Sequence, residues 1–450
     1  MRAFIIAAAF ALSACATAAP IPINQPAQRP FAAAPLDLDG DVVALALSGG
    51  GARAAAFSLG ALEGLREMHA ADGRTLLDHV RLVSGVSGGS ITAAYFGLHG
   101  AAGVDAFRAA YLDKNWAGQL HTNPLSPLDW SRAIQGGLNG PDLLADWLDR
   151  EVFGHAAMAA LWDGAGPQVW INAADLYNGT PFAFAPLYFD AICSDLAGLR
   201  VADAVAASMA VPVAFKPILI EPRDAHCAPP PAWAATAATD RTQAALVRRT
   251  ADAFATYRDR AVLPYLHLVD GGTIDNLGLS TLTLARLTAT APYGPLAPRD
   301  AVRMRRFTML VVNAEKIRTP AWSRTPRGPS GAQAFDAYLD MTIEVENREA
   351  YDAFRAVLAD WQRDLITWRC SLSNDEVTRL RGSLEGWNCR DLVLAADMIS
   401  FRDLGPAEQA AIGAAPTRVT LPRALTDALI AGGREAVTHN ALALSMTRPN

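Results

Sequence analysis

Residues 82–90 read Leu82-Val83-Ser84-Gly85-Val86-Ser87-Gly88-Gly89-Ser90. A short apolar run breaks into the pattern G-x-S-x-G with Ser87 at its centre, and a plausible helix, GGSITAAYFGLHG, follows at once. Strand, tight turn and helix in that order are the signature of a nucleophile elbow. The turn is so sharp that Gly85 and Gly89 must be small, and the helix aims its N-terminal N–H groups toward the serine at the apex. Five residues alone are a weak pattern, because a glycine-rich turn after any strand can produce them. If Ser87 is a nucleophile, something must take its proton. The chain has eight histidines, and none lies in a motif of its own.

Two other glycine-rich turns follow apolar runs. Ser48-Gly49-Gly50-Gly51-Ala52-Arg53 joins the strand-like DVVALAL to the helical ARAAAFSLGALEGLREMH. A phosphate-binding P-loop needs a lysine that is missing here, and the dinucleotide fingerprint fails because Ala54 stands at its third glycine. An oxyanion hole built from bare backbone N–H groups is one reading, and a structural turn is the other. Val269-Asp270-Gly271-Gly272 ends the run YLHLVDGG. An aspartate at a strand end sits where side chains converge in open α/β sheets. Its reference pKa, about 3.9, makes it a poor base in water. Bonded directly to a serine hydroxyl in a dry pocket, it can still accept the proton.

The order GGGxR, GxSxG, DGG resembles the patatin-like phospholipase family, whose members use a serine–aspartate dyad. ASMAVPVAFKP (Ala207–Pro217) and INAADLYNGTPFAF resemble two further family segments. The resemblance runs from about Val42 to Leu279 and does not extend past about Gln333. It implies an α/β/α sandwich with a mostly parallel central sheet, Ser87 as nucleophile and Asp270 as base. It also implies Gly50, Gly51 and Arg53 around the oxyanion, an acyl-ester lipid or phospholipid as substrate, and no cofactor. Ala54 departs from the usual GGGxRG. Alanine suits a helical first turn, but would be strained if the position needed a positive φ.

The 450 residues are 51% hydrophobic and 19% charged, with a formal net charge of −6, which fits a large globular chain and argues against a nucleic-acid partner. Strand candidates DVVALAL, HVRLVSG, QVWINAAD, YLHLVDGG and FTMLVVNAE alternate with helical stretches, the pattern of a parallel sheet covered on both faces. A catalytic domain is expected over 36–317. Residues 222–263 read as an insertion on it, either part of a lid or a surface excursion. Arg318–Gly331 reads as a loop, and 332–450 as a mainly helical C-terminal region packed on the catalytic domain.

The N-terminus, MRAFIIAAAFALSAC, reads as a signal peptide over 1–14. Leu12-Ser13-Ala14-Cys15 resembles the lipobox of bacterial lipoproteins, which would make Cys15 the acylated N-terminus, followed by a proline-rich tether over 15–35. That resemblance implies a lipid-anchored protein of the cell envelope, sorted to the outer membrane and working at a membrane surface. An ordinary signal peptide cleaved a few residues later is the alternative. Export would favour disulfides between the nearer cysteines, Cys193 with Cys227 and Cys370 with Cys389, over free thiols. No metal-ligand spacing is present.

Two competing functional readings stand beside the dyad. A Ser–His–Asp hydrolase would use His226 or His267, although His267, three residues before Asp270, falls on the opposite strand face by alternation. A non-catalytic envelope scaffold of the same fold is the other. Among nearby polar residues, Asp275 reads as a helix cap and Asn276 as a brace for the turn. The tryptophans at 116, 130, 147, 162 and 170 read as core and rim packing.

Overall fold

Alternation along DVVALAL builds the centre of the molecule. Val43, Leu45 and Leu47 enter one apolar core, while Val42, Ala44 and Ala46 enter a second, as the period of two in a strand buried on both faces requires. The computed structural model describes residues 21–447 apart from 30, 121–125, 127–131, 133, 135, 224–226, 228 and 319. The signal segment, Cys15, Trp130 and His226 therefore lie outside the described residues.

The elements that frame the site are β1 (Gly40–Leu47), α1 (Ala52–Glu67), β2 (Val80–Val86), α2 (Gly88–Phe107), β3 (Gln168–Asp175), β4 (Thr180–Phe184) and α3 (Val201–Ser208). They continue with β5 (Ile218–Ile220), α4 (Ala245–Tyr257), β6 (Leu266–Asp270), α5 (Ser280–Leu287) and β7 (Met304–Asn313). Beyond β7 come α6 (Gly331–Ser371), β8 (Val393–Ser400) and α7 (Arg423–Thr438). The sheet order is β8-β7-β1-β2-β3-β6-β5, with β4 also paired to β3. From β8 to β3 all neighbours are parallel, whereas β4 and β6 run antiparallel to β3, and β5 antiparallel to β6. Helices on both faces complete a three-layer α/β/α sandwich with a mostly parallel sheet.

Two expectations need correction, and one is extended. The C-terminal region is helix-rich, but it also supplies the edge strand β8, paired in parallel along β7 from Val393↔Arg306 to Ser400↔Asn313. Its α7 lies against α1 so closely that a Cβ at Gly60 would meet the Ile430 carbonyl, and one at Gly433 the Phe57 carbonyl. Residues 21–29 and 31–35 are seated on the domain rather than hanging as a tether. Buried Asn24 donates to Ser194 Oγ (2.7 Å) and the Glu221 carbonyl (2.8 Å), and its own oxygen accepts from Glu221 N. In the 222–263 insertion α4 buries Val247, Ala251, Phe254 and Tyr257, and Tyr257 donates to Asp175 Oδ2 at 2.9 Å. That helix is part of the wall, not a lid.

Other expectations agree with the structure. Cys193 is bonded to Cys227 and Cys370 to Cys389. Trp116, Trp147 and Trp162 are buried, and Trp170 packs against both cores.

The α1–α7 crossing yields a direct test. Alanine is the better helix former by about 1 kcal/mol, yet Gly433→Ala puts a methyl into the Phe57 carbonyl. Denaturant melts should show a net loss of about 1–3 kcal/mol, while Gly331→Ala, where a Cβ meets open space, should be near neutral.

Candidate active site

Ser87 sits between β2 and α2 with φ 50° and ψ −122°, a conformation that costs a non-glycine residue about 1–3 kcal/mol unless its surroundings enforce it. They do so at both ends of the residue. The Ser87 N–H donates to Ser208 Oγ at 2.8 Å, and Ser208 Oγ in turn donates to the Asn172 carbonyl at 2.5 Å. The Ser87 carbonyl accepts from Ser90 Oγ at 2.6 Å. Glycine is required at Gly89, where a Cβ would strike the Leu47 and Ser48 carbonyls. At Gly85 one would strike Ser90 and Ala93.

Asp270 ends β6 opposite Ala173 of β3. Its backbone N–H donates to the Ala210 carbonyl at 3.0 Å. Oδ1 accepts from Gly272 N at 2.8 Å and Oδ2 accepts from Ser87 Oγ at 2.7 Å. Both residues are buried, at 7% and 6% exposure. Burial pushes the Asp270 carboxyl up to about 6, against the opposing pull of its bonds from Ser87 and Gly272. Gly271 packs against the Asn172 carbonyl and leaves no room for a side chain.

The loop after β1 lies beside the elbow. Gly49 N donates to the Asn276 carbonyl (3.1 Å), and a Cβ on Gly49 would lie in contact with Ser87 Cβ. Gly50 and Gly51 adopt φ 141° and 63°, which excludes larger residues. Among the described residues their N–H groups have no hydrogen-bond acceptor, so two donors are unspent next to the serine. Ala54 is helical within α1 and carries no strain, which removes the doubt raised by the departure from GGGxRG.

Arg53 differs from expectation. Nε donates to the Ala314 carbonyl at 2.7 Å, and Nη1 to the Ala415 carbonyl and Thr417 Oγ1 at 2.8 and 2.9 Å. Burial lowers its pKa to about 10. The guanidinium is committed to the segments after β7 and before α7, with Nη2 against Gly50. It braces the glycine loop instead of lining an oxyanion.

His267 is exposed on β6, on the other side from Asp270, and its carbonyl accepts from Leu176 N. Asp275 caps the turn into α5, accepting from Leu279 N and Ser280 N, each at 3.0 Å. Asn276 is a brace, with Nδ2 donating to Asn347 Oδ1 (3.1 Å) and its N–H to Glu346 Oε2 (3.1 Å). Burial and the nearby Asp275 carboxylate push Glu346 up to about 8. Among the described residues no group of His, Cys, Asp and Glu could hold a metal ion.

Sequence reasoning missed Ser208, the Asn172 post, and the α6 pair Glu346 and Asn347. Ser208 lies in ASMAVPVAFKP and Asn172 in INAADLYNGTPFAF, so both were inside segments already singled out. Glu346 and Asn347 carried no signal.

Residues 45–283 match the family described as "Patatin-like phospholipase", and the chain belongs to that family. No curated protein matches it. Among solved structures it is similar to human GIVD cytosolic phospholipase A2, at 14% identity and a TM-score of 0.40. That match covers 90% of this chain, which spans 62% of the human chain's length. VipD from Legionella pneumophila shows 12% identity and a TM-score of 0.35, covering 97% and 73% of the two chains. ExoU in its complex with SpcU from Pseudomonas aeruginosa shows 16% identity and a TM-score of 0.26, covering 82% and 80%.

Ser208→Ala tests the brace. It leaves the buried Ser87 N–H without its acceptor and removes the hydroxyl bond to the Asn172 carbonyl, at a cost of about 1–3 kcal/mol. Turnover of a short-chain ester should fall together with the melting temperature, and Ser208→Thr should restore part of both. Full activity in Ser208→Ala would remove Ser208 from any part in holding the elbow.

Proposed function

We propose that this protein is a lipid acyl hydrolase, a serine carboxylic-ester hydrolase acting on phospholipid or related lipid esters through a Ser87–Asp270 dyad. The observation that carries the reading is the 2.7 Å hydrogen bond from Ser87 Oγ to Asp270 Oδ2 at a strained elbow. Ser87 Oγ attacks the ester carbonyl carbon as its proton passes to Oδ2. The tetrahedral oxyanion is met by the free N–H groups of Gly50 and Gly51, each such donor contributing about 3 kcal/mol. Asp270 then returns the proton to the leaving alkoxide, and an acyl-Ser87 ester remains. Water attacks that ester, giving its proton to Asp270, and the fatty acid leaves as Ser87 Oγ is reprotonated. Gly272 N holds Oδ1 throughout, so that Oδ2 alone handles the proton.

Ser87→Ala and Asp270→Asn should each reduce ester turnover to background with little change in melting. A fluorophosphonate should label the wild type and leave Ser87→Ala unlabelled. Because Asp270 must be ionised to accept a proton, and burial raises its pKa to about 6, kcat/KM should be flat at neutral pH. It should fall as pH drops through about 6, approaching tenfold per unit below that value. Labelling that persists in Ser87→Ala, or a scaffold-like lack of labelling in the wild type, would overturn the reading.

The same reading extends to location. Cys15 in its lipobox would carry acyl chains, two or more of which hold a protein on a membrane where one is marginal, and the catalytic domain would work from the outer membrane of a bacterial envelope. On fractionation the wild type should pellet with membranes and need detergent for release. Cys15→Ala should turn soluble or stay unprocessed. Wild type found soluble, with an unmodified N-terminus beyond residue 15, would leave an ordinary secreted hydrolase.

A further inference from the structure

Helix α6 has two halves with different surroundings. Its buried residues are Asn347, Phe354, Leu358, Trp361, Leu365 and Arg369, so none falls among residues 331–346. The helix runs antiparallel to β7. Arg369 Nη1 donates to the carbonyl of Met304, at the start of that strand, while Asn347 Nδ2 donates to Glu315 just beyond its end. Ser87 also lies just past the C-terminal end of its strand, and β2, β1 and β7 are parallel. Residues 331–346, about 24 Å of helix at 1.5 Å per residue, thus project past the sheet edge that carries the dyad.

The projecting half is exposed yet apolar. Phe335 and Tyr338 are 61% and 58% exposed, and Leu339, Met341 and Val345 are exposed too. At 100° per residue Phe335, Tyr338, Leu339 and Val345 fall within an arc of about 120°, centred roughly 130° around the helix from the buried stripe. They are not core residues left uncovered. On the body side the helix is held by ion pairs of Asp340 with Lys316 and of Glu344 with Arg318. The loop before it carries Arg318, Arg324, Arg327 and Trp322, and between Glu315 and the exposed Asp336 there is no carboxylate. Arg324 and Arg327 are exposed. Val211 and Val213, in the segment that follows the Ser208 brace, are exposed as well.

From this arrangement we infer that the projecting half of α6 and the arginine loop before it form the surface by which the catalytic domain docks on a bilayer bearing anionic headgroups. The inference deepens the lipid-hydrolase reading and rests on it for the identity of the surface. An outward apolar stripe provides insertion at the acyl boundary, while arginines and an amphipathic tryptophan suit the headgroup layer. The charge argues for lipid: Arg324 and Arg327 stand exposed on the loop, Lys316 and Arg318 are matched by Asp340 and Glu344, and Asp336 is the one exposed carboxylate of the projecting half. At its inner end α6 meets the site through Asn347 and Glu346, whose partner Asn276 holds Gly49. Docking there brings the membrane to the edge of the sheet where the ester must arrive.

The test uses the full chain carrying Cys15→Ala and Ser87→Ala, so that neither an acyl anchor nor hydrolysis contributes. Co-sedimentation is measured with vesicles of phosphatidylcholine alone and of phosphatidylcholine mixed equally with phosphatidylglycerol. Phe335→Ser/Tyr338→Ser/Leu339→Ser should weaken binding to the mixed vesicles by about tenfold or more. Arg324→Glu/Arg327→Glu should weaken it by about tenfold, with little effect on phosphatidylcholine alone. Both sets, placed on the Cys15→Ala chain with Ser87 intact, should turn over a water-soluble ester at the parent rate, which separates lost docking from lost chemistry. Unchanged vesicle binding in the triple variant overturns the docking surface even if the enzyme is active. A parent chain that is a dimer in solution, made monomeric by the triple substitution, overturns it in favour of a second copy. If no ester is turned over by the chain with Ser87 intact, the hydrolase reading fails, whatever the vesicles show.

Discussion

The hydrogen bond between Ser87 and Asp270 joins the facing C-terminal ends of two strands that are not paired with each other. β4 holds one edge of β3 along Ile171–Asp175, so β2, paired as far as Asn172, and β6, paired at Ala173–Asp175, share the other edge with their C-terminal ends facing each other. Everything close to the site holds that junction. Asn172 of β3 stands beneath it, giving its amide N–H groups to Ser84 Oγ and the Gly85 carbonyl, accepting from Thr281 Oγ1, and receiving the Ser208 hydroxyl on its own carbonyl. One residue thereby ties the elbow strand, α3 and α5 to the strand along which both dyad strands are paired. The strain at Ser87 persists because both of its peptide groups are bonded to serines that are fully buried.

The sequence made the reacting residues legible because their chemistry depends on local backbone shape. A serine at an elbow, a glycine loop with positive φ and an aspartate at a strand end each leave a mark within six residues. β1, β2 and β7 were readable for a similar reason: burial on both faces yields unbroken apolar runs. What could not be read was long-range. Arg53 stands inside a motif, and only the fold reveals that its guanidinium serves carbonyls some 260 to 360 residues away. The antiparallel turn of β6, which swings Asp270 toward Ser87, has no signature in YLHLVDGG. Strand β8 was hidden because it is an edge strand whose run VLAADMIS is only partly buried, so its hydrophobic pattern is weak.

The region beyond residue 317 proves to be structural support for the glycine loop. Ala52 N donates to the Arg418 carbonyl, a Cβ on Gly51 would meet that same carbonyl, and Arg53 is clasped by Ala415 and Thr417. The family match ends at residue 283, yet the backbone that presents Gly50 and Gly51 is completed by Ala314, Ala415, Thr417 and Arg418. Two free N–H groups can remain unspent beside a buried serine only because the rest of their loop is bonded to something rigid. A loop free to relax would turn those donors onto its own carbonyls.

Burial is also what makes a carboxylate adequate as the sole base. An aspartate near its reference value of about 3.9 would rarely hold a serine proton, whereas at about 6 its proton affinity is greater by roughly 3 kcal/mol. The gain has a thermodynamic counterpart. A carboxyl whose folded pKa lies above its unfolded one favours folding fully below the unfolded value, and that contribution is lost as pH rises through about 6. At neutral pH the ionised Asp270 is thus a net burden on the fold. It is limited by the two bonds that Ser87 and Gly272 donate. Adding a third donor would ease the burden and weaken the base, since each bond to the carboxylate lowers its affinity for the proton. Two donors, one of them the nucleophile itself, are therefore the arrangement that keeps the carboxylate both tolerable to the fold and basic enough to work without a histidine.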